Sequence, residues 1–199
     1  MINDLKRRIK MSHDISDNLW SDIVCKSKVM YLNNKEILVR QGVKCKSIYY
    51  IVSGTFMASF ISENGNKCAV WFYFDKSSDF ISCSDSYFSD VYTEYEIKAV
   101  EDSCVIKLDK KNMDYWAANS FAFNRFYISE IIKHYQTVFE ARSNLITLTP
   151  IEYLNFIKKK HPFIFKRIPS YSIAQFMGIS QEWFCKIKKM KNNHELIHG

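Results

Sequence analysis

The chain has 199 residues, 47% of them apolar, and 28 Lys/Arg against 21 Asp/Glu give a net charge of +7. That length suits one large domain or two small ones with ample core material. The apolar run from Tyr49 to Ser62, part of the longest charge-free stretch, is too short and too broken by Ser and Gly to span a bilayer.

The N-terminal "MINDLKRRIKMSHD" lacks an apolar signal region, so a cytoplasmic location is expected. Six cysteines stand apart at 25, 45, 68, 83, 104 and 185, with no C-x-x-C and no Cys/His cluster. They are expected to be reduced and mostly buried as small hydrophobes. Leu5, Ile9, Leu19, Ile23 and Val24 give residues 1–30 a helical period, with Ser16-Asp17 as a helix start.

From about residue 31 to 108 the pattern changes to short strands. "EILVRQG" ends at Gly42, "SIYYIVSG" ends at Gly54, and "TFMASFIS" runs into Glu63-Asn64-Gly65-Asn66. Asn-Gly between β-rich runs is a strong hairpin signal, and "KCAVWFYF" is the return strand. "EYEIKAVED" and "CVIKLDK" are expected to pair about a turn at Glu101-Asp102-Ser103. Regular short strands with glycine turns predict a sandwich or barrel.

Residues 112–146 read as one long helix. Ile128, Ile131, Tyr135, Val138, Arg142 and Leu145 alternate at spacings of three and four, the seam of a coiled coil. Intramolecular packing would explain such a stripe. Because it extends past an already compact β-domain, pairing with a second copy is the favoured expectation. Thr149-Pro150-Ile151-Glu152 then forms a capping box with proline at the first helical position. The new helix buries Tyr153, Leu154, Phe156 and Ile157, and Pro162 stops it.

The charge is unevenly placed. Residues 1–142 carry 19 basic and 18 acidic side chains, whereas residues 143–199 carry 9 and 3. A region so biased suits a polyanion. Within it lies "IAQFMGISQEWFCKIKKM", residues 173–190, two short apolar-periodic helices meeting at Gly178. Ala174 permits close approach, Gly178 allows positive φ, and Ser180 suits the cap of the second helix. Ile179, Phe184 and Ile187 lock the pair, the pattern of a helix-turn-helix. Gln181, Glu182, Lys186 and Lys189 face outward, with the chemistry to read adenine, cytosine and guanine edges. Lys158, Lys159, Lys160, Lys166, Arg167, Lys188 and Lys191 suit phosphates, as do Ser170, Tyr171 and Ser172 at the start of the first helix. An ordinary helical hairpin with a solvated lysine face is the rival reading.

Taken in order, "YYIVSGTFMASF", the Asn-Gly hairpin, "IKAVEDSCVIKLDK" and "IAQFMGISQEWFCKIKKM" resemble the cyclic-AMP receptor / fumarate–nitrate regulator (CRP/FNR) superfamily of bacterial transcription factors, across essentially the whole chain. The resemblance implies an α+β fold in three parts. Residues 1–111 would form an N-terminal helix and a cyclic-nucleotide-binding-like antiparallel β-barrel of jelly-roll type. Residues 112–146 would form a dimerisation helix and 147–199 a helix-turn-helix domain. It implies a homodimer through Ile128, Ile131, Tyr135, Val138 and Arg142, a palindromic operator in double-stranded DNA, and RNA polymerase as a further partner. The base-reading positions correspond to Gln181, Glu182 and Lys186. With only "HPFIFKRIP" between the capped helix and the motif, and few residues after Lys191, this looks like the short, wingless form.

The departures bear on the effector. Cyclic-AMP-binding members clamp the phosphate with an Arg and a Ser/Thr; here the stretch reads "VYTEYEIKAV", with Thr93 in the arginine's place, Glu96 in the hydroxyl's and Glu94 between. The ribose-binding Gly-Glu pair is replaced by "SSDFISCSDS". Carboxylates repel a phosphate, so neither cyclic AMP nor cyclic GMP is expected, and no cofactor is predicted. A cupin-like metalloenzyme needs histidines inside the barrel, but all five (13, 134, 161, 194 and 198) lie outside 31–108, so no enzyme is expected. Trp71-Phe72-Tyr73-Phe74 is either barrel core or the wall of a ligand cavity. Two functions remain: a dimeric DNA-binding regulator with a sensory or scaffold barrel, or a ligand- or partner-binding barrel whose basic tail binds protein or membrane.

Overall fold

The computed structural model describes residues 1–10, 13–61, 63–65, 67–75 and 79–195, with side chains to Lys189. Asn66 and the side chain of Lys191, both named above, lie outside the described residues. Among the described residues no helix is long and apolar enough to cross a membrane.

Two helices lead in, α1 (Ile2–Lys10) and α2 (Asp17–Lys26). Ser16 caps α2 as expected, its Oγ accepting from the Leu19 amide at 3.3 Å. Eight strands follow: β1 (Lys28–Leu32), β2 (Ile37–Val39), β3 (Ser47–Ser53), β4 (Thr55–Ile61), β5 (Lys67–Phe74), β6 (Phe80–Ile81), β7 (Tyr95–Ala99) and β8 (Ser103–Asp109). They form two four-stranded antiparallel sheets, ordered β1-β8-β3-β6 and β2-β7-β4-β5. The expected hairpin is present, with β4 and β5 paired from Thr55↔Phe74 to Ile61↔Lys67.

One expected pairing is wrong. β7 pairs with β2 and β4, and β8 pairs with β1 and β3, so the Glu101–Ser103 turn crosses from one sheet to the other. β3 and β4 make the same kind of crossing at Gly54, and the two crossings lie against each other. A Cβ built on Gly54 would fall 2.1 Å from Ser103 Oγ, and its φ of +114° is itself forbidding to a side chain. Hydrophobic alternation alone cannot tell a hairpin from such a crossover. The result is a double-sheet jelly roll.

Side chains of alternating strand positions feed different cores. Phe56, Ala58, Tyr73, Ile97, Ile51 and Val105 fill the space between the sheets. Ile48 and Tyr50, on the other face of β3, pack with Leu5, Ile9, Trp20 and Trp116. Met57, Phe72 and Phe74 point to the opposite exterior and pack with the C-terminal helices. Strands covered on both faces read as continuous apolar runs, which is why "YYIV" and "WFYF" lack clear alternation. A short helix, α3 (Ser84–Ser89), lies between β6 and β7 and had no sequence signal beyond "SDS".

The single helix expected over 112–146 is two: α4 (Lys110–Asn119) and α5 (Phe121–Thr147). Ser120 breaks the run in extended conformation (φ −141°, ψ 112°), and its Oγ accepts from Phe123 N at 3.2 Å to start α5. The break lets Trp116 and Phe123, both fully buried, face the same core from different helices. At 27 residues α5 runs about 40 Å.

The rest is helical: α6 (Pro150–Lys160), α7 (Ile164–Arg167), α8 (Ser170–Phe176) and α9 (Gln181–Glu195). The capping box at Thr149 is complete, with Glu152 Oε2 accepting from Thr149 N at 2.9 Å.

Candidate nucleic-acid interface

α8 and α9 meet as the sequence implies. Gly178, at φ +67°, ends α8 in a Schellman arrangement, with Ile179 N donating to Ala174 O (3.1 Å) and Gly178 N to Gln175 O (3.0 Å). Ser180 caps α9, its Oγ accepting from Trp183 N at 3.1 Å. Ile173, Ala174, Phe184 and Ile187 are fully buried in the corner, and Ile179 packs at its edge.

The outward face of α9 is free of protein contact of that kind: Gln181, Glu182, Lys186 and Lys189 are all exposed. Trp183 shares this surface, 37% exposed, with the Lys186 ammonium 5.6 Å from its ring. Sequence reasoning passed over this tryptophan because its spacing matched neither the locking positions nor the polar ones. The amide of Glu182 itself and the Ser180 hydroxyl hold the Glu182 carboxyl below the usual carboxylate range in the first turn of α9.

The phosphate candidates divide. Lys158 and Lys188 converge on one ring, their ammonium groups 5.9 and 5.7 Å from the centre of Phe165, which gathers two cations from separate helices. Lys166 and Tyr171 are exposed and Ser170 is half-buried. Three candidates are buried or paired within the chain. Ser172 is fully buried in the helix pair, and its side chain faces the interior. Lys160 pairs with Glu140 of α5. Arg167 turns away from solvent and grips the jelly roll: its Nη1 and Nη2 donate to Asp75 (2.8 and 3.2 Å) and its Nε to Glu101 (2.8 Å). Asp75 also accepts from Gly54 N (3.1 Å) and Glu101 from Thr55 Oγ1 (2.6 Å), so the guanidinium rests at the sheet-crossing corner.

α8 is seated on β5. Gln175 Nε2 donates to Lys67 O at 3.0 Å, and Phe176 makes edge contacts with Trp71 and Phe72 at 6.2 and 5.5 Å. The first helix of the corner thus lies on the β-unit while the second presents its outer face.

Along α5 the residues of the expected seam, Ile128, Ile131, Tyr135, Val138 and Arg142, are all exposed, and Ile132, Phe139 and Ile146 widen the line, at 50%, 59% and 70%. Ile131, Tyr135 and Val138 also border a cavity, and Leu145 packs against the C-terminal helices.

The cavity lies between α5 and the β-unit. It measures about 410 Å³ and is lined mainly by apolar groups such as Ile48, Phe80, Met113 and Phe126. A neighbouring cavity of about 200 Å³ reaches Trp71, Tyr73, Cys83 and Tyr95. His134 borders both, stacked on Tyr73 at 6.1 Å, and burial pushes its imidazole below the ordinary histidine value. A histidine therefore does reach the β-unit, though from α5. The aromatic run serves both expected roles: Trp71 and Tyr73 border the cavity while Phe72 and Phe74 support the helices. Among the described residues no Lys or Arg lines either cavity. Thr93 is buried and its Oγ1 donates to Asp85 at 3.4 Å, while Glu96 pairs with Lys67. The carboxylate facing Thr93 is thus Asp85, a residue the sequence comparison did not single out.

No family model and no curated protein matches the chain by sequence. Its fold is shared with solved transcription regulators. FixK2 from Bradyrhizobium japonicum superposes with a TM-score of 0.70 at 12% identity, covering 85% of this chain and 86% of that one. A structure assigned to the crp/fnr family of transcriptional regulators, from Eubacterium rectale, gives 0.69 at 13%, covering 91% and 85%. The global regulator CLP of Xanthomonas campestris gives 0.62 at 11%, covering 90% and 93%.

Proposed function

We propose that the chain is a transcription regulator of the CRP/FNR kind that acts as a homodimer on a palindromic operator in double-stranded DNA. α9 enters the major groove, where Gln181, Glu182 and Lys186 read base edges and Lys188 and Lys189 meet phosphates. The observation that carries this reading is the exposure of that face, on a capped helix held by a helix whose other side is anchored to β5. The apolar seam from Ile128 to Ile146 supports pairing with a second copy, since a monomer rarely leaves so long an aliphatic and aromatic line in water.

We further propose that the β-unit does not take cyclic AMP. Among the described residues neither cavity has a lysine or arginine in its wall to meet a phosphate, and Thr93, in the place of the clamping arginine, is bonded to the Asp85 carboxylate instead.

Selection of bound sequences from a random duplex pool tests the main reading. A palindromic consensus with half-sites one helical turn apart is the expected result. Recovery of no consensus, with binding insensitive to salt, would leave the basic tail as a protein- or membrane-contacting element instead.

A further inference from the structure

The outer face of α9 offers polar readers for three of the four bases. Gln181 suits adenine, Glu182 cytosine and Lys186 guanine, and all three are exposed. Thymine carries an apolar group in the major groove, the C5 methyl, which calls for an apolar partner. Trp183 stands where such a partner is wanted. Ser180 Oγ accepts from its amide at 3.1 Å, which fixes it in the first turn of α9, the end of a recognition helix that meets base edges. Phe184 and Ile187, 0% and 1% exposed, already fill the corner. At about 100° per residue, Trp183 and Lys186 then form a ridge along one shoulder of the outward face. An indole is a large apolar surface that is buried in most settings, yet this one is 37% exposed. The Lys186 ammonium lies over its ring, 5.6 Å from the centre, so the indole is held beside the group that addresses guanine.

We propose that Trp183 is a specificity-determining residue that packs its indole on the C5 methyl of a thymine in the operator. That thymine lies close to the guanine that Lys186 reads. The ammonium and the ring centre are 5.6 Å apart and successive base pairs about 3.4 Å, so the two side chains address base pairs one or two steps apart. This assignment rests on α9 being the helix that reads DNA.

The experiment replaces thymine by deoxyuridine, which pairs as thymine does and lacks only the methyl. Duplexes carrying the consensus recovered from the random pool are made with each thymine replaced in turn, symmetrically in both half-sites. They are titrated with the full chain by fluorescence anisotropy. Replacement at one position, one or two base pairs from the guanine whose readout Lys186→Ala relaxes, should lower affinity roughly fourfold per half-site, the worth of burying one methyl group. In Trp183→Ala that loss should vanish, and in Trp183→Phe, which keeps an apolar ring, it should persist. Equal affinity at every replaced thymine, or a loss only at thymines farther from that guanine, overturns the assignment while leaving α9 as the reading helix. A loss that Trp183→Ala retains overturns it too. Failure to recover any consensus removes the reading itself, and this assignment with it. The deoxyuridine series on the wild-type chain decides the matter even if neither variant folds.

Discussion

The Arg167 guanidinium, on α7, lies 2.8 Å from the Asp75 carboxylate at the end of β5. Sequence placed this arginine among the phosphate contacts; the structure uses it to hold the helical unit on the jelly roll. Both side chains are only 18% exposed. Arg167→Ala should therefore cost about 2–3 kcal/mol in urea unfolding, because two carboxylates lose their buried partner. The slope of DNA affinity against salt should stay unchanged. A slope flattened by one unit would mean that Arg167 meets phosphate after all.

Lys186 and Lys188 sit two residues apart and should behave differently. Lys186→Ala should relax base preference at one operator position, a loss of about 1–3 kcal/mol confined to the preferred sequence. Lys188→Ala, removing one of the cations over Phe165, should weaken all duplexes alike and flatten the salt slope by about one unit. Titrations of matched and mismatched duplexes at several salt concentrations separate the two. Uniform loss in both variants would move the reading face elsewhere.

Phe139 is more than half exposed and stacks on Tyr135 one turn earlier, at 6.1 Å. Phe139→Glu should leave the protomer folded but weaken self-association about 30-fold or more, since a charge would enter an apolar seam at a cost of about 2 kcal/mol. Sedimentation over a concentration series measures this. Identical profiles for the variant and the wild type would show that the seam is not the contact.

Two half-buried histidines make stability depend on pH. Burial depresses His134 and His161, and the nearby Lys160 adds to the effect on His161 while Glu140 opposes it. In the unfolded chain both titrate near about 6.5. Below that value the unfolded state binds more protons than the folded one, so stability is full above it and declines as pH falls toward the folded values. The melting temperature should drop on moving from about pH 7.5 to about pH 5.5, and His134→Phe should reduce that drop. An unchanged slope in the variant would show that His134 is protonated equally in both states.

Much of this was legible in the sequence because it depends on local chemistry. The Thr149 capping box, the Asn64-Gly65 hairpin and the Gly178 corner each involve residues within a few positions of one another. What escaped depends on partners far away in the chain. The crossing of β7 to β8 is set by which sheet each strand joins, and a period of two is the same in either case. Arg167 found Asp75 across a distance that no spacing rule spans. In the proposed reading surface, the positions on the exposed side of α9 followed from helical period, whereas Ser172 did not, because the depth of the α8–α9 packing fixes which side of α8 sees water.

Met57, Ala69, Phe72 and Phe74 of the sheet share one apolar cluster with Tyr153, Ile157, Ile173 and Met177 of the helices. The chain's two halves accordingly stand or fall together: heating should melt them in a single step, and a truncation that begins at residue 147 would carry the helical corner without the floor on which it stands. Any signal that reshapes the outer surface of β5 reaches α8 by direct touch, with no flexible tether to absorb it.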